Sequence, residues 1–170
     1  MAFAAQSLAT DAFYADRSDA YRDLAQQLEG LIGDEHDMIA NAANTAALLF
    51  ELLPDLNWAG FYLLKGGELV LGPFQGKPAC VRIAIGKGVC GTAAATRTTQ
   101  CVADVHAFPG HIACDAASRS ELVVPLLSND TLIGVLDLDS PVPNRFNVDD
   151  CSGIEAIAAI WAAASWAGNA

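Results

Sequence analysis

Two stretches of this chain hold residues that could do redox and acid–base chemistry together. Cys80, Cys90, Cys101 and Cys114 fall in or beside one segment between about residues 73 and 120, while Cys151 lies near the C-terminus. No CxxC pair occurs among these five cysteines, which weighs against a zinc ribbon or a thioredoxin-type motif. Scattered cysteines with His111 would be the remaining way to build a zinc site. A free cysteine is also a small hydrophobe that cores readily bury. Cys101, between Gln100 and Val102 on a short strand, and Cys151, on an apolar helix, are read that way. Cys90 follows Gly86-Lys87-Gly88 at a helix start, where the dipole and unpaired N–H groups favour a thiolate. Cys114 lies in FPGHIACDAASRSE, with His111 three residues before it and Arg119 five after. Those positive neighbours favour its thiolate, and Asp115 opposes them.

The acid chemistry comes from IGVLDLDS, residues 133–140. Side chains alternate on a strand, which puts Ile133, Val135, Asp137 and Asp139 on one face and Leu136 and Leu138 on the other. Carboxylates two residues apart stand about 7 Å apart. Glu121 begins the preceding strand of the same hairpin and is expected to approach them. Clustered, partly buried acids raise at least one pKa and leave a carboxylic acid able to donate a proton. The same cluster would bind an ammonium group. Trp58 and Tyr62, i and i+4 on a strand, share a face that could wall an apolar ligand group or simply fill a core. GKGVCGTA lacks the Walker order of residues, and no nucleophile elbow accompanies His111 and Asp115.

These residues need a scaffold. At 170 residues the chain is the size of one domain, and 53% hydrophobic content with 17% charged describes a filled core. The net charge of −11 makes nucleic acid a poor partner. No apolar run is long enough to span a membrane, and no basic residue precedes Arg17, so a secretory signal is not expected and the expected location is cytoplasmic. Residues 1–18 are read as a loosely attached arm and 19–168 as a single domain. Helices are predicted over Asp19–Leu28, stopped by Gly30, over Asp34–Leu53, and over Asp149–Trp166. Strands are expected at Trp58–Leu64, Glu68–Gly72, Cys80–Ile85, Gln100–Ala103, Glu121–Leu127 and Thr131–Asp139, with a short helix at Val89–Ala95. GPFQGKP reads as turn, and Asp104–Ser120 as irregular. The result is an α+β domain with a mostly antiparallel sheet flanked by N- and C-terminal helices. Its long excursion between strands is the natural place for function.

GKPACVRIAIGKGVCGTA (76–93), DVHAFPGHIACDAASRSELVVPL (104–126) and IGVLDLDS (133–140) closely resemble the free methionine-(R)-sulfoxide reductases, which are stand-alone GAF-domain enzymes. The likeness extends less sharply from Tyr21 to Trp161. It implies a GAF-like fold, with Cys114 attacking the sulfoxide and Cys80 and Cys90 as the other redox cysteines. It also implies a substrate site of Glu121, Asp137, Asp139, Trp58 and Tyr62. Thioredoxin is the implied reductant, and neither a metal nor a cofactor is implied. Cys101 and Cys151 match no position of that chemistry. A thiolate attacks sulfur while an acid, assigned to Asp139, protonates the oxygen; the resulting sulfenic acid condenses with a second cysteine, and an external dithiol resets the disulfide. The acids would hold the ammonium of a free amino acid, and backbone N–H groups in the glycine loop or the 110–116 loop its carboxylate.

Two other classes stay open at this stage: a GAF-type module that only binds a small molecule, and a redox sensor without turnover. The last helix adds an expectation about assembly. It is apolar almost all the way round, so a second covering surface is required, supplied by a homodimer partner or by the N-terminal segments of the same chain.

Overall fold

A computed structural model of the chain describes residue 5, residues 10–110 and residues 116–166. Six strands form one sheet in the order β3-β2-β1-β6-β5-β4, and every neighbouring pair is antiparallel. They are β1 (Trp58–Lys65), β2 (Glu68–Gly76), β3 (Arg82–Ala84), β4 (Gln100–Val102), β5 (Ser120–Ser128) and β6 (Thr131–Ser140). The helices are α1 (Thr10–Ala15), α2 (Arg17–Ile32), α3 (Met38–Leu52), α4 (Gly88–Thr96) and α5 (Val148–Trp166). The expected α+β class is correct. None of the described helices is long and apolar enough to cross a membrane.

Helices α2, α3 and α5 cover one face of the sheet. There Leu24, Leu28, Leu49, Phe61, Leu122, Leu136 and Trp161 pack into the larger core, with the Phe61 and Trp161 rings 4.9 Å apart. Helix α4 and the β2–β3 segment cover the other face. Trp58, Tyr62, Val89, Cys90, Val123 and Val135 form the smaller core there, and it is this face that carries the chemistry.

Several element bounds differ from expectation for identifiable reasons. Helix α2 is not stopped by Gly30, because that glycine lies where a side chain would meet nothing, and the helix runs on to a cap at Gly33. Helix α3 starts later than Asp34, because the Asp37 carboxylate accepts from the N–H groups of Ile39 and Ala40 and so sets the first turn. Strand β2 continues through GPFQG, where Phe74–Gly76 pair with Trp58–Gly60 beyond a bulge at Gly72 and Pro73.

The face assignment on β6 is right for Val135, Asp137 and Asp139 and wrong for Ile133. Leu126 pairs with Gly134 and Leu127 with Leu132, so Ile133 is the extra residue of a bulge. It turns over and joins Leu136 and Leu138 in the larger core.

The arm is not loose where it is described. Phe13 of α1 is buried in the larger core, 1% exposed. Arg17 and Arg145 both pair with Asp150 at the start of α5, and Tyr21 donates to the same carboxylate at 2.9 Å. This settles how α5 is covered. Helix α2 lies so close to it that a Cβ on Gly153 would fall 2.2 Å from the Tyr21 ring. Helix α3 ties down its other end, with Asn41 donating to Ser165 at 3.1 Å. Ala156, Ala159 and Ala163 face outward, so α5 has an exposed side after all. The second covering surface comes from within the chain, and the argument for a homodimer through α5 falls.

Candidate active site

Strand register assembles the acids. Glu121 on β5 stands opposite Asp139 on β6, and two residues along, Val123 stands opposite Asp137. Strand β1 lies on the other side of β6, with Trp58 opposite Asp139 and Gly60 opposite Asp137. Directly opposed residues point to the same face, so three carboxylates and the Trp58 ring converge under α4. Gly60 makes this possible. A Cβ there would sit 2.4 Å from that of Phe74 and 2.6 Å from the Trp58 ring.

The pocket so formed is open to solvent and spans about 540 Å³ with that open space counted. Trp58 and Tyr62 form its aromatic wall, stacked with centroids 5.9 Å apart, and Phe74 extends the stack beyond Trp58 at 5.4 Å. Their polar ends hold the segment that carries Cys80: Trp58 Nε1 donates to the Lys77 carbonyl at 3.1 Å, and the Tyr62 hydroxyl to the Cys80 carbonyl at 2.9 Å. Burial pushes the Tyr62 hydroxyl well above its ordinary pKa, with the nearby carboxylates adding to it, so it remains a donor.

Glu121 and Asp137 are 6% and 5% exposed. Burial comes first, and repulsion from neighbouring carboxylates second, in raising both well above the usual carboxylate range. The expected pKa rise within the cluster is therefore present. Asp137 Oδ1 is buried without a hydrogen-bond partner among the described residues, an acceptor with nothing to accept. Such a group costs roughly 1–3 kcal/mol, which a ligand cation would recover.

Cys90 lies between these two carboxyls, and its Sγ donates to Glu121 Oε1 at 3.9 Å. The thiolate expected from its helix start is not favoured. Burial, then Asp137 and Glu121, raise its pKa well above the ordinary thiol value, outweighing the helix dipole. Cys90, Glu121 and Asp137 offer ligand atoms within 4.8 Å of one another, the donor set closest to a metal site among the described residues.

The pocket thus brings together Trp58, Tyr62, Cys90, Glu121, Asp137 and Asp139. Cys80 adjoins it through its carbonyl bond to Tyr62, and is disulfide-bonded, whereas Cys90, Cys101 and Cys151 are free. Cys114, expected to be the nucleophile, and His111 lie outside the described residues. Cys101 and Cys151 lie away from the pocket.

Sequence reasoning missed Lys77, Lys87 and Ser118, which also line it. The two lysines sit in GKP and GKG, where glycine drew the reading toward turns. In a chain of net charge −11, two cations flanking a cysteine segment were the available signal.

A GAF domain family model matches residues 16–164. The free methionine-R-sulfoxide reductase of Escherichia coli is 54% identical over 144 residues, 85% of this chain and 87% of that protein. Protein YtsP of Bacillus subtilis is 58% identical over 137 residues, 79% of this chain and 84% of its own. The X-ray structure of free methionine-R-sulfoxide reductase from Neisseria meningitidis in complex with its substrate superposes with a TM-score of 0.89 at 44% identity, covering 96% of this chain and 95% of that one.

Proposed function

The chain belongs to the GAF domain family and, within it, to the free methionine-R-sulfoxide reductases, and on that premise we propose how it works. It reduces free methionine-(R)-sulfoxide to methionine. The observation that carries the mechanism is the trio of Glu121, Asp137 and Asp139 facing an aromatic wall across a pocket that a cysteine segment borders.

Glu121 and Asp137 receive the substrate ammonium, and the unpartnered Asp137 Oδ1 is the acceptor waiting for it. Lys77 and Lys87 at the mouth take the carboxylate, and Trp58 and Tyr62 hold the methylsulfinyl end. The Cys114 thiolate attacks the sulfoxide sulfur. Asp139, less buried than its two neighbours and so able to recover a proton from solvent, protonates the oxygen. Methionine leaves, and Cys114 keeps the oxygen as a sulfenic acid.

Cys80 resolves it, forming a Cys80–Cys114 disulfide with loss of water. Two facts support Cys80 over Cys90: Cys80 is the cysteine held in a disulfide, and Cys90 is a buried thiol whose proton the surrounding acids retain. Cys90 instead lends its S–H to Glu121. A thioredoxin-like dithiol resets the site by exchange, which requires a reducing compartment and makes the cytoplasm the proposed location. No cofactor enters, the chain from α1 to α5 acts as one catalytic domain, and a dimer through α5 is not part of the proposal.

The deciding experiment incubates the protein with free methionine sulfoxide and dithiothreitol and follows loss of the (R) epimer. Loss with Cys114 intact and none in Cys114→Ser supports the mechanism. Stable binding of the sulfoxide without its loss would instead favour a binding module.

A further inference from the structure

The two cysteines left over by the chemistry are neighbours. Cys101 on the edge strand β4 stands opposite Leu122 of β5, and Leu122 lies in the core beneath α5. Opposed residues share a face, so Cys101 points toward α5, while the adjacent Val102 packs into the smaller core on the other side. Cys151 occupies the first turn of α5 and packs against the larger core. Its thiol is hydrogen-bonded to Cys101, and Cys101 Sγ reaches the carbonyl of Phe146, just before the helix, at 3.6 Å. Both are free, Cys101 exposed and Cys151 partly covered.

We propose that Cys101 and Cys151 form a second redox-active pair, on the face of the sheet away from the substrate pocket, which hydrogen peroxide or an organic hydroperoxide converts to a disulfide and an external dithiol reduces. The exposed Cys101 meets the oxidant. Its sulfur attacks the terminal peroxide oxygen, the O–O bond breaks, and Cys101 sulfenic acid and water (or the alcohol) result. Cys151 lies behind it as the resolving thiol. Burial first, and then the hydrogen bond to Cys101, pushes the Cys151 thiol up to about 12, so it stays protonated until it attacks the sulfenic acid. Its proton then leaves with the hydroxyl as a second water. Two thiols are oxidised by two electrons, and one peroxide is reduced.

The bond would staple the edge strand to α5. Strand β4 also places Val102 opposite Glu121, so the staple stiffens the strand bordering the substrate acids. The inference does not rest on sulfoxide turnover.

Mapping tests it. Cleavage after Lys and Arg together with cleavage before Asp puts each of the five cysteines on its own peptide, with Cys101 on 98–103 and Cys151 on 150–170. The full chain, reduced and then treated with hydrogen peroxide without sulfoxide, should yield these two peptides joined. Dithiothreitol should release them. The oxidised parent should also melt at a higher temperature than identically treated Cys151→Ala, and lose that advantage on reduction. Accumulation of Cys101 sulfenic or sulfinic acid with Cys151 still a free thiol would overturn the proposal. So would Cys101 linked only to 104–114 or to a second chain.

Discussion

The substrate's ammonium group is the sharpest handle on this site. Two of the pocket's acids are almost fully buried, at 5% and 6% exposure, and one of their oxygens has no partner among the described residues. A substrate without the ammonium leaves that arrangement unrelieved. Charge-assisted hydrogen bonds contribute roughly 1.5–3 kcal/mol each, so losing one to Glu121 and one to Asp137 removes about 3–6 kcal/mol. At 1.36 kcal/mol per decade, kcat/KM should fall by about 10²–10⁴. Two analogues separate charge from bulk: N-acetylmethionine sulfoxide blocks the amine, and 4-(methylsulfinyl)butanoate removes it without adding atoms. Initial rates with dithiothreitol, read by chromatographic loss of each sulfoxide, give the comparison. Both should be poor substrates. If 4-(methylsulfinyl)butanoate matched the free amino acid in kcat/KM, the reasoning from the buried carboxyls would fail, whatever the acetylated compound did.

Four further outcomes follow from the same geometry. Cys114→Ser should abolish turnover, while Cys101→Ser and Cys151→Ser, away from the pocket, stay close to the parent in the same assay. Asp139→Asn should lower kcat by at least about a hundredfold if it supplies the proton, and Glu121→Gln should act mainly on KM. Stability should depend on pH in a definite direction. Glu121 and Asp137 are raised in the folded chain, so the stability they contribute is present below the ordinary carboxylate pKa of about 4 and is lost as pH rises through their folded values. Asp137→Asn should therefore gain melting temperature relative to the parent as pH rises, and a parent-minus-variant difference that is flat with pH would contradict the assignment. In light scattering, the mass should be that of one chain at micromolar concentration, because α2 and α3 already cover α5; a concentration-dependent dimer would show that another face pairs.

Much of the fold was legible because hydrophobic periodicity reports which face of an element is buried. Both hairpins, the α3 and α5 helices, and the shared face of Asp137 and Asp139 followed from spacing alone. The errors came where a local signal met a tertiary one. Gly30 reads as a stop but costs little in an exposed helix interior. Ile133 keeps the alternation on paper, and only the pairing partner β5 reveals that it is the extra residue of a bulge. Helix α5 reads as apolar all round because alanine is counted with the hydrophobes, yet alanine tolerates water, and its outward face carries Ala156, Ala159 and Ala163 beside Ser152 and Glu155. The N-terminal arm reads as unattached because a few isolated side chains, Phe13, Tyr14 and Arg17, carry its docking, and so short a segment shows no period.

Cys90 shows a different limit. Its sequence position promised a thiolate, since glycines and a lysine precede it at a helix start. What decides its state is three carboxyls contributed by strands 31 or more residues away, and no local window contains them. The same convergence explains why the cluster exists at all. Three acids brought together on adjacent strands, two of them buried, oppose folding in the empty protein, and a sequence selected for stability alone would replace one of them. Protonation relieves them at low pH, and on the proposed mechanism the substrate ammonium would do so once they ionise. If Glu121 and Asp137 receive the ammonium as proposed, the cost of holding them ionised and the preference for a free amino acid are one property, and the pH-dependent melting of Asp137→Asn and the rate on 4-(methylsulfinyl)butanoate measure it from its two sides.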